Sequence, residues 1–112
     1  MKSIRAVPTP PPALSAAGKA LWKRLTHDFP FNDAASRELL ERACACADRA
    51  AEAQVAIDAY GVVIVNKKTG SIRSNPAVAV QRDARAQMLA CFKMLGLHET
   101  PHAKKPGRPM GS

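Results

Sequence analysis

The chain has 112 residues and a formal net charge of +8, and 46% of its residues are apolar although only 4% are aromatic. This length allows one domain at most, and no run reaches the roughly 18 apolar residues that a membrane-spanning helix needs. Alanine occurs 21 times. Because each alanine buries little surface, one copy would have a thin core, and we expect helices that pack closely, also between copies.

Charge is distributed unevenly along the chain. Residues 32–60 carry six acidic and three basic residues, whereas residues 61–75 carry three basic residues and no acidic one. The segments before and after this pair are basic as well. Such a balance is typical of a protein that meets a polyanion, by default nucleic acid, on some surfaces and packs against protein on another.

The N-terminal residues 1–13 are predicted to form a flexible arm, because four prolines deny the backbone donors that a helix needs. The arm lacks the apolar core of a signal peptide. Three cysteines leave one unpaired in any disulfide scheme, which favours buried free thiols in a reducing compartment. We therefore expect a cytoplasmic protein.

Residues 14–97 are predicted to be the folded unit, and its periodicity is mainly α-helical. Capping signals divide it into three helices with a short hairpin between the second and the third. Helices are expected at about 16–29, 34–60 and 76–95, and the hairpin at about 62–74. In the first helix Ser15 is the expected N-cap and Trp22 lies on the apolar stripe, so a core position is favoured over stacking on a nucleobase.

The second helix carries small residues in a heptad-like pattern, at which a helix of another copy could approach closely. We predict an oligomer interface along this seam, formed by Leu40, Ala43, Ala47 and Ala50. Its acidic residues, among them Asp48, are interpreted as part of a solvated face.

The hairpin is the least expected element, because Val62 to Val65 are four consecutive β-branched residues in a helical chain. Alternation places Val63 and Val65 on one face and Val62 and Ile64 on the other, so both faces need cover. Two covers are possible, the helices of the same chain or a neighbouring copy. For the second case we predict that Val63 and Val65 belong to the oligomer interface.

Residues 98–112 are predicted to be a flexible basic tail. It holds a His-Glu-x-x-His pattern at His98, Glu99 and His102, but Pro101 interrupts the helix that a zinc peptidase would need. A metal hydrolase is kept only as an alternative. No other catalytic arrangement is present, so we expect no enzyme activity, no cofactor and no metal site.

The same tail contains Lys104, Lys105 and Arg108 around a Gly-Arg-Pro core, which resembles half of an AT-hook. In an AT-hook an extended arginine lies in the narrow minor groove of A·T-rich DNA. A merely basic, solubilising tail is the alternative.

Over residues 12–97 the order of these features resembles the phage terminase small subunits. The resemblance rests on LSAAGKALWKRL, RACACADRAAEAQ, YGVVIVNKKTGSIRSNPAV and MLACFKMLGL. It implies a viral DNA-packaging factor in the bacterial host cytoplasm that assembles into a ring, binds double-stranded viral DNA and recruits the large terminase subunit. The large subunit holds the ATPase and the nuclease.

The residues themselves suggest three basic groups for DNA. These are Lys19, Lys23 and Arg24 on the first helix, Lys67, Lys68 and Arg73 on the hairpin, and Lys104, Lys105 and Arg108 in the tail. The alternative function for such a chain is a small helical DNA-binding regulator of a mobile element.

Overall fold

The computed structural model describes residues 7–97 and has three helices and one two-stranded sheet. The elements in chain order are α1 (Ala16–Asp28), α2 (Ala34–Tyr60), β1 (Val63–Val65), β2 (Ile72–Ser74) and α3 (Pro76–Leu95). This architecture confirms the predicted mainly α fold with a hairpin between the second and third helices.

Local capping signals explain most of the element boundaries. The side chain of Asp33 accepts a hydrogen bond from the backbone N–H of Ser36 at the start of α2. The Ser36 hydroxyl also donates to the Asp33 carboxylate at 2.9 Å. This side-chain bond, followed by the bond from the Ser36 N–H, holds the pKa of the Asp33 carboxyl below its usual range. Gly61 and Gly96 end α2 and α3 with positive φ values of 85° and 78°, which glycine adopts without strain.

The start of α1 is capped by another helix. Ser15 occupies the N-cap position, but its side chain makes no capping hydrogen bond. The carboxylate of Asp48 on α2 instead accepts from the backbone N–H groups of Ser15 at 2.7 Å and of Gly18 at 2.6 Å. Asp48 is therefore buried, and the prediction that it lies on a solvated face was wrong.

The core lies where α1 crosses the first half of α2 and the last half of α3. Its buried members are apolar side chains from α1, α2 and the segments beside α1: Leu14, Leu21, Trp22, Phe31, Leu40 and Cys44. Trp22 is 4% exposed, and its indole N–H donates to the carbonyl oxygen of Pro8 at 2.9 Å. This confirms the core position of Trp22, and it shows that the N-terminal arm lies against α1 at Pro8.

The remainder of the α2–α3 pair, together with the hairpin, lies beyond this core, and we call residues 49–87 the distal half. Within the described residues, no residue of this range belongs to the core cluster or to the half-buried apolar side chains packed against it. Small buried side chains, Ala53 and Ala84, separate the two helices there. A hydrogen bond of 2.6 Å from Gln81 to Gln54 also joins them. The distal half is thus a helix pair with a thin interior.

The hairpin projects from the end of this pair. Val63 pairs with Ser74, Ile64 with Arg73 and Val65 with Ile72 in antiparallel register. Because paired residues share a face, Val63, Val65 and Ile72 form one apolar face, and they are 48%, 55% and 68% exposed. The chain's own helices therefore do not cover this face.

One side chain holds the base of the hairpin. Asn75 is buried, donates to the carbonyl oxygen of Gly61 at 2.7 Å, and accepts from the backbone N–H of Ala77 at 3.0 Å. The backbone N–H of Asn75 also donates to the carbonyl oxygen of Val62 at 2.7 Å. Asn75 thereby joins the end of α2 to the start of α3.

The three cysteines are free and buried, as predicted. Burial, with a smaller contribution from the Asp48 carboxylate, raises the pKa of the Cys44 thiol to about 12. Burial, followed by the proximity of Cys46, also raises the pKa of Cys91. Both thiols therefore stay protonated at neutral pH, which makes them poor nucleophiles.

Candidate functional site

The basic residues of α1 lie on two sides of the helix. Lys19 and Lys23 are exposed and one turn apart, so they share one stripe. Arg24 is also exposed but lines a groove between the helices, to which neither lysine contributes. The structure thus separates Arg24 from the lysine pair with which the sequence had grouped it.

The groove that Arg24 lines has a volume of about 540 Å³ and runs between α1, α2 and α3. Its α2 wall consists of Ala47, Ala50, Ala51 and Gln54. Arg85 of α3 lies across the groove from α1. The groove is therefore apolar and carries two cationic groups, with no acidic residue among its lining residues.

The turn of the hairpin presents two lysines on an ordered loop. The side-chain oxygen of Asn66 accepts from the backbone N–H groups of Lys68 at 2.9 Å and of Thr69 at 3.3 Å. Gly70 closes the turn with φ of 76°, and its N–H donates to the carbonyl oxygen of Asn66 at 2.7 Å. Because the backbone is fixed in this way, Lys67 and Lys68 are held at the exposed tip.

The two described basic groups are not brought together in one copy. The hydrogen bonds between α1 and α2 are at Asp48, whereas the hairpin follows Tyr60, twelve residues further along the same helix. That distance is about 18 Å along the helix axis. Arg73 is exposed on the strand and pairs with Ile64, on the face opposite Val63 and Val65. One copy thus offers basic groups at two separate places.

Several predicted residues lie outside the described residues. They are the tail group Lys104, Lys105 and Arg108 and the His-Glu-x-x-His pattern of His98, Glu99 and His102. Between residues 7 and 97, no three His, Cys, Asp or Glu side chains are grouped as metal ligands are.

The predicted oligomer seam is divided between the inside and the outside of the chain. Leu40 and Ala43 have no exposed surface, so the fold of one copy already accounts for them. Ala47 and Ala50 are half-buried on the wall of the groove. The interface itself stays a prediction, and its accessible members are the groove alanines and the hairpin valines.

Sequence reasoning did not select Arg85, although α3 contains a signal for it. Gln81, Arg85, Met88 and Phe92 recur at intervals of four, three and four residues, and all four line the groove. This spacing places them on one face of a helix. Because two of the four are polar, the stripe does not match a purely apolar pattern.

Comparison with protein families gives one finding over most of the chain. The family model described as phage terminase, small subunit, matches residues 18–106. No curated protein and no solved structure matches the chain significantly. None of the described helices is long and apolar enough to cross a membrane. Since the match spans much more than half of the 112 residues, the chain belongs to the phage terminase small-subunit family, and its role is in phage DNA packaging.

Proposed function

We propose that this protein binds double-stranded phage DNA, assembles into a ring, and recruits and regulates the large terminase subunit in the host cytoplasm. The observation that carries the proposal is the family match over residues 18–106. The fold supports it through two exposed basic groups on fixed backbone, the helical stripe of Lys19 and Lys23 and the tip with Lys67 and Lys68.

Both groups suit contacts with phosphate rather than with bases. Lysine ammonium groups on exposed positions act as point charges, and such contacts give affinity that falls steeply with salt. A single copy offers few of them. In a ring each group is repeated in every subunit, so that weak individual contacts add through multivalency.

The lysines of the hairpin tip give the direct test of DNA binding. We expect the change Lys67→Ala/Lys68→Ala to weaken binding to duplex DNA of any sequence. It should reduce the slope of log K against log salt concentration by about 1 for each lysine that contacts a phosphate. Fluorescence anisotropy at several salt concentrations measures both quantities.

The matched control is Arg82→Ala/Lys93→Ala, which removes two exposed charges from α3 and leaves the tip intact. If this control lowers affinity and slope as much as the tip variant does, then net charge rather than the tip governs binding. An unchanged slope in the tip variant alone would remove Lys67 and Lys68 from the DNA site.

Regulation of the large subunit is tested with the cognate large terminase subunit. We expect the purified small subunit to bind it and to change its ATPase rate in the presence of DNA. Pull-down and a coupled ATPase assay measure the two effects. If the cognate large subunit neither binds nor responds, the recruitment and regulation proposed here are wrong.

A further inference from the structure

Within the described residues, the distal half exposes more large apolar side chains than the half that contains the core. Among the large apolar side chains that are exposed, most belong to this part of the chain: Val55, Tyr60, Val62, Val63, Val65, Ile72 and Val80. A two-stranded hairpin alone is marginally stable in water. An apolar region of this kind on a monomer marks a surface that another molecule covers.

The distal half carries positive charge on the hairpin and negative charge on the last part of α2. The hairpin carries Lys67, Lys68 and Arg73 and no acidic residue. The last part of α2 carries Glu52 and Asp58, which are exposed and flank Val55. Within residues 7–97 neither of these carboxylates forms an ion pair, although Asp58 accepts a hydrogen bond of 2.8 Å from Gln54.

We infer that the apolar face of the hairpin docks on the end of α2 in a second copy of this chain, around Val55, with Glu52 and Asp58 facing the basic hairpin. We call this contact the hairpin joint. The hairpin joint rests on the assembly stated in the proposed function, and it names the two surfaces that meet in that assembly. The joint buries Val63, Val65 and Ile72, and it leaves the tip with Lys67 and Lys68 open for DNA.

Charge complementarity decides between this arrangement and the symmetric one. Two hairpins packed face to face would place Lys67 and Lys68 of one copy beside a second hairpin that carries no acidic residue, and such like-charge contacts are unfavourable. Docking on the acidic end of α2 instead places opposite charges within a Debye length of each other. Each copy then contributes its hairpin to one neighbour and the end of its α2 to another. Such a head-to-tail contact generates a ring when its rotation closes.

The joint is tested by the mass of the assembly in the absence of DNA. We expect Val63→Thr/Val65→Thr, which keeps the branched shape but removes two methyl groups, to raise the apparent dissociation constant of the assembly roughly tenfold. Val55→Thr should also weaken assembly. When it is combined with the hairpin variant, the loss of assembly free energy should be smaller than the sum of the two separate losses, because both changes affect one contact. Native mass spectrometry and light scattering over a concentration series give these values.

Charge variants test the polar part of the joint. Glu52→Lys/Asp58→Lys should weaken assembly by at least roughly tenfold, because it places cations opposite a basic hairpin. Glu38→Lys/Glu41→Lys makes the same charge change at exposed positions of α2 outside the distal half and should leave the mass unchanged. For the apolar part, Leu89→Ser removes an exposed leucine of α3 outside the distal half and is also expected to have no effect.

The outcomes distinguish the joint from the proposed function. All variants are checked for an unchanged Trp22 emission, which reports on the core and not on the distal half. A wild-type protein that stays monomeric at every concentration overturns the assembly in the proposed function and the joint with it. If the wild type assembles but neither the hairpin variant nor the α2 variants change the mass of the assembly, only the joint is overturned. The same holds if the control variants change the mass equally.

Discussion

Gly18→Ala is expected to destabilise the folded protein by about 2 kcal/mol, although alanine is the better helix former. A methyl group at this position would lie 2.6 Å from a carboxylate oxygen of Asp48 and 2.7 Å from the backbone carbonyl oxygen of Cys44. The carbonyl belongs to α2 and cannot rotate away. Overpacking of this kind costs about 1–3 kcal/mol, and displacing Asp48 also weakens two hydrogen bonds.

Helix propensity acts in the opposite direction and makes the sign of the result informative. In an open helix the change from glycine to alanine stabilises by about 1 kcal/mol. Urea unfolding followed by Trp22 fluorescence measures the net effect. The control Ala20→Gly, at an exposed position of the same helix, should show the ordinary propensity loss. A stabilised Gly18→Ala variant would mean that α1 and α2 do not approach as closely as described.

Asp48→Ala is expected to have the larger effect, a loss of about 3 kcal/mol. The carboxylate accepts from the N–H groups of Ser15 and Gly18, and the second of these bonds is buried. Hydrogen bonds to a charged acceptor contribute about 1.5–3 kcal/mol each, and removing the acceptor leaves the donors without a partner. The negative charge is also favourable at the N-terminal end of the α1 dipole.

Two further substitutions separate the cap from the charge. Asp48→Asn keeps one acceptor oxygen but presents an amide N–H₂ to the other donor, so an intermediate loss is expected. Asp58→Ala removes an exposed carboxylate from the same helix and should change stability by no more than about 0.5 kcal/mol. If Asp48→Ala unfolds at the same urea concentration as Asp58→Ala, the cap is not important for stability.

The parts of this fold that the sequence predicts are those set by neighbouring residues. Gly61 ends α2, and Asn75 with Pro76 starts α3, because each acts on backbone groups within a few residues of itself. The hairpin faces follow from alternation, and the register agrees with them. Local chemistry is enough for these features.

Asp48 and Gly18 could not be predicted in the same way. In sequence, Asp48 has the spacing of an ordinary charged residue on a long helix, and only the crossing of α1 turns it inward. Gly18 in the interior of a helix is a general sign of close approach, but it does not name the partner. Both roles depend on residues thirty positions apart.

The small-residue seam of α2 shows a second reason for incomplete prediction. A repeat of leucine and alanine at intervals of three and four predicts close helix packing and does not say which helix packs there. In the structure Leu40 and Ala43 are used inside the chain, whereas Ala47 and Ala50 remain on the groove. The difference arises from where α1 crosses, which is a property of the whole fold.

The cap that Asp48 supplies to α1 also has a consequence for the order of events during synthesis. Chains emerge from the ribosome with the N-terminal end first, and local helices can form as soon as they emerge. The first turn of α1, however, receives its acceptor from a residue 30 positions beyond Gly18. The N–H groups at the start of α1 therefore receive this acceptor only after more than half of α2 has been translated.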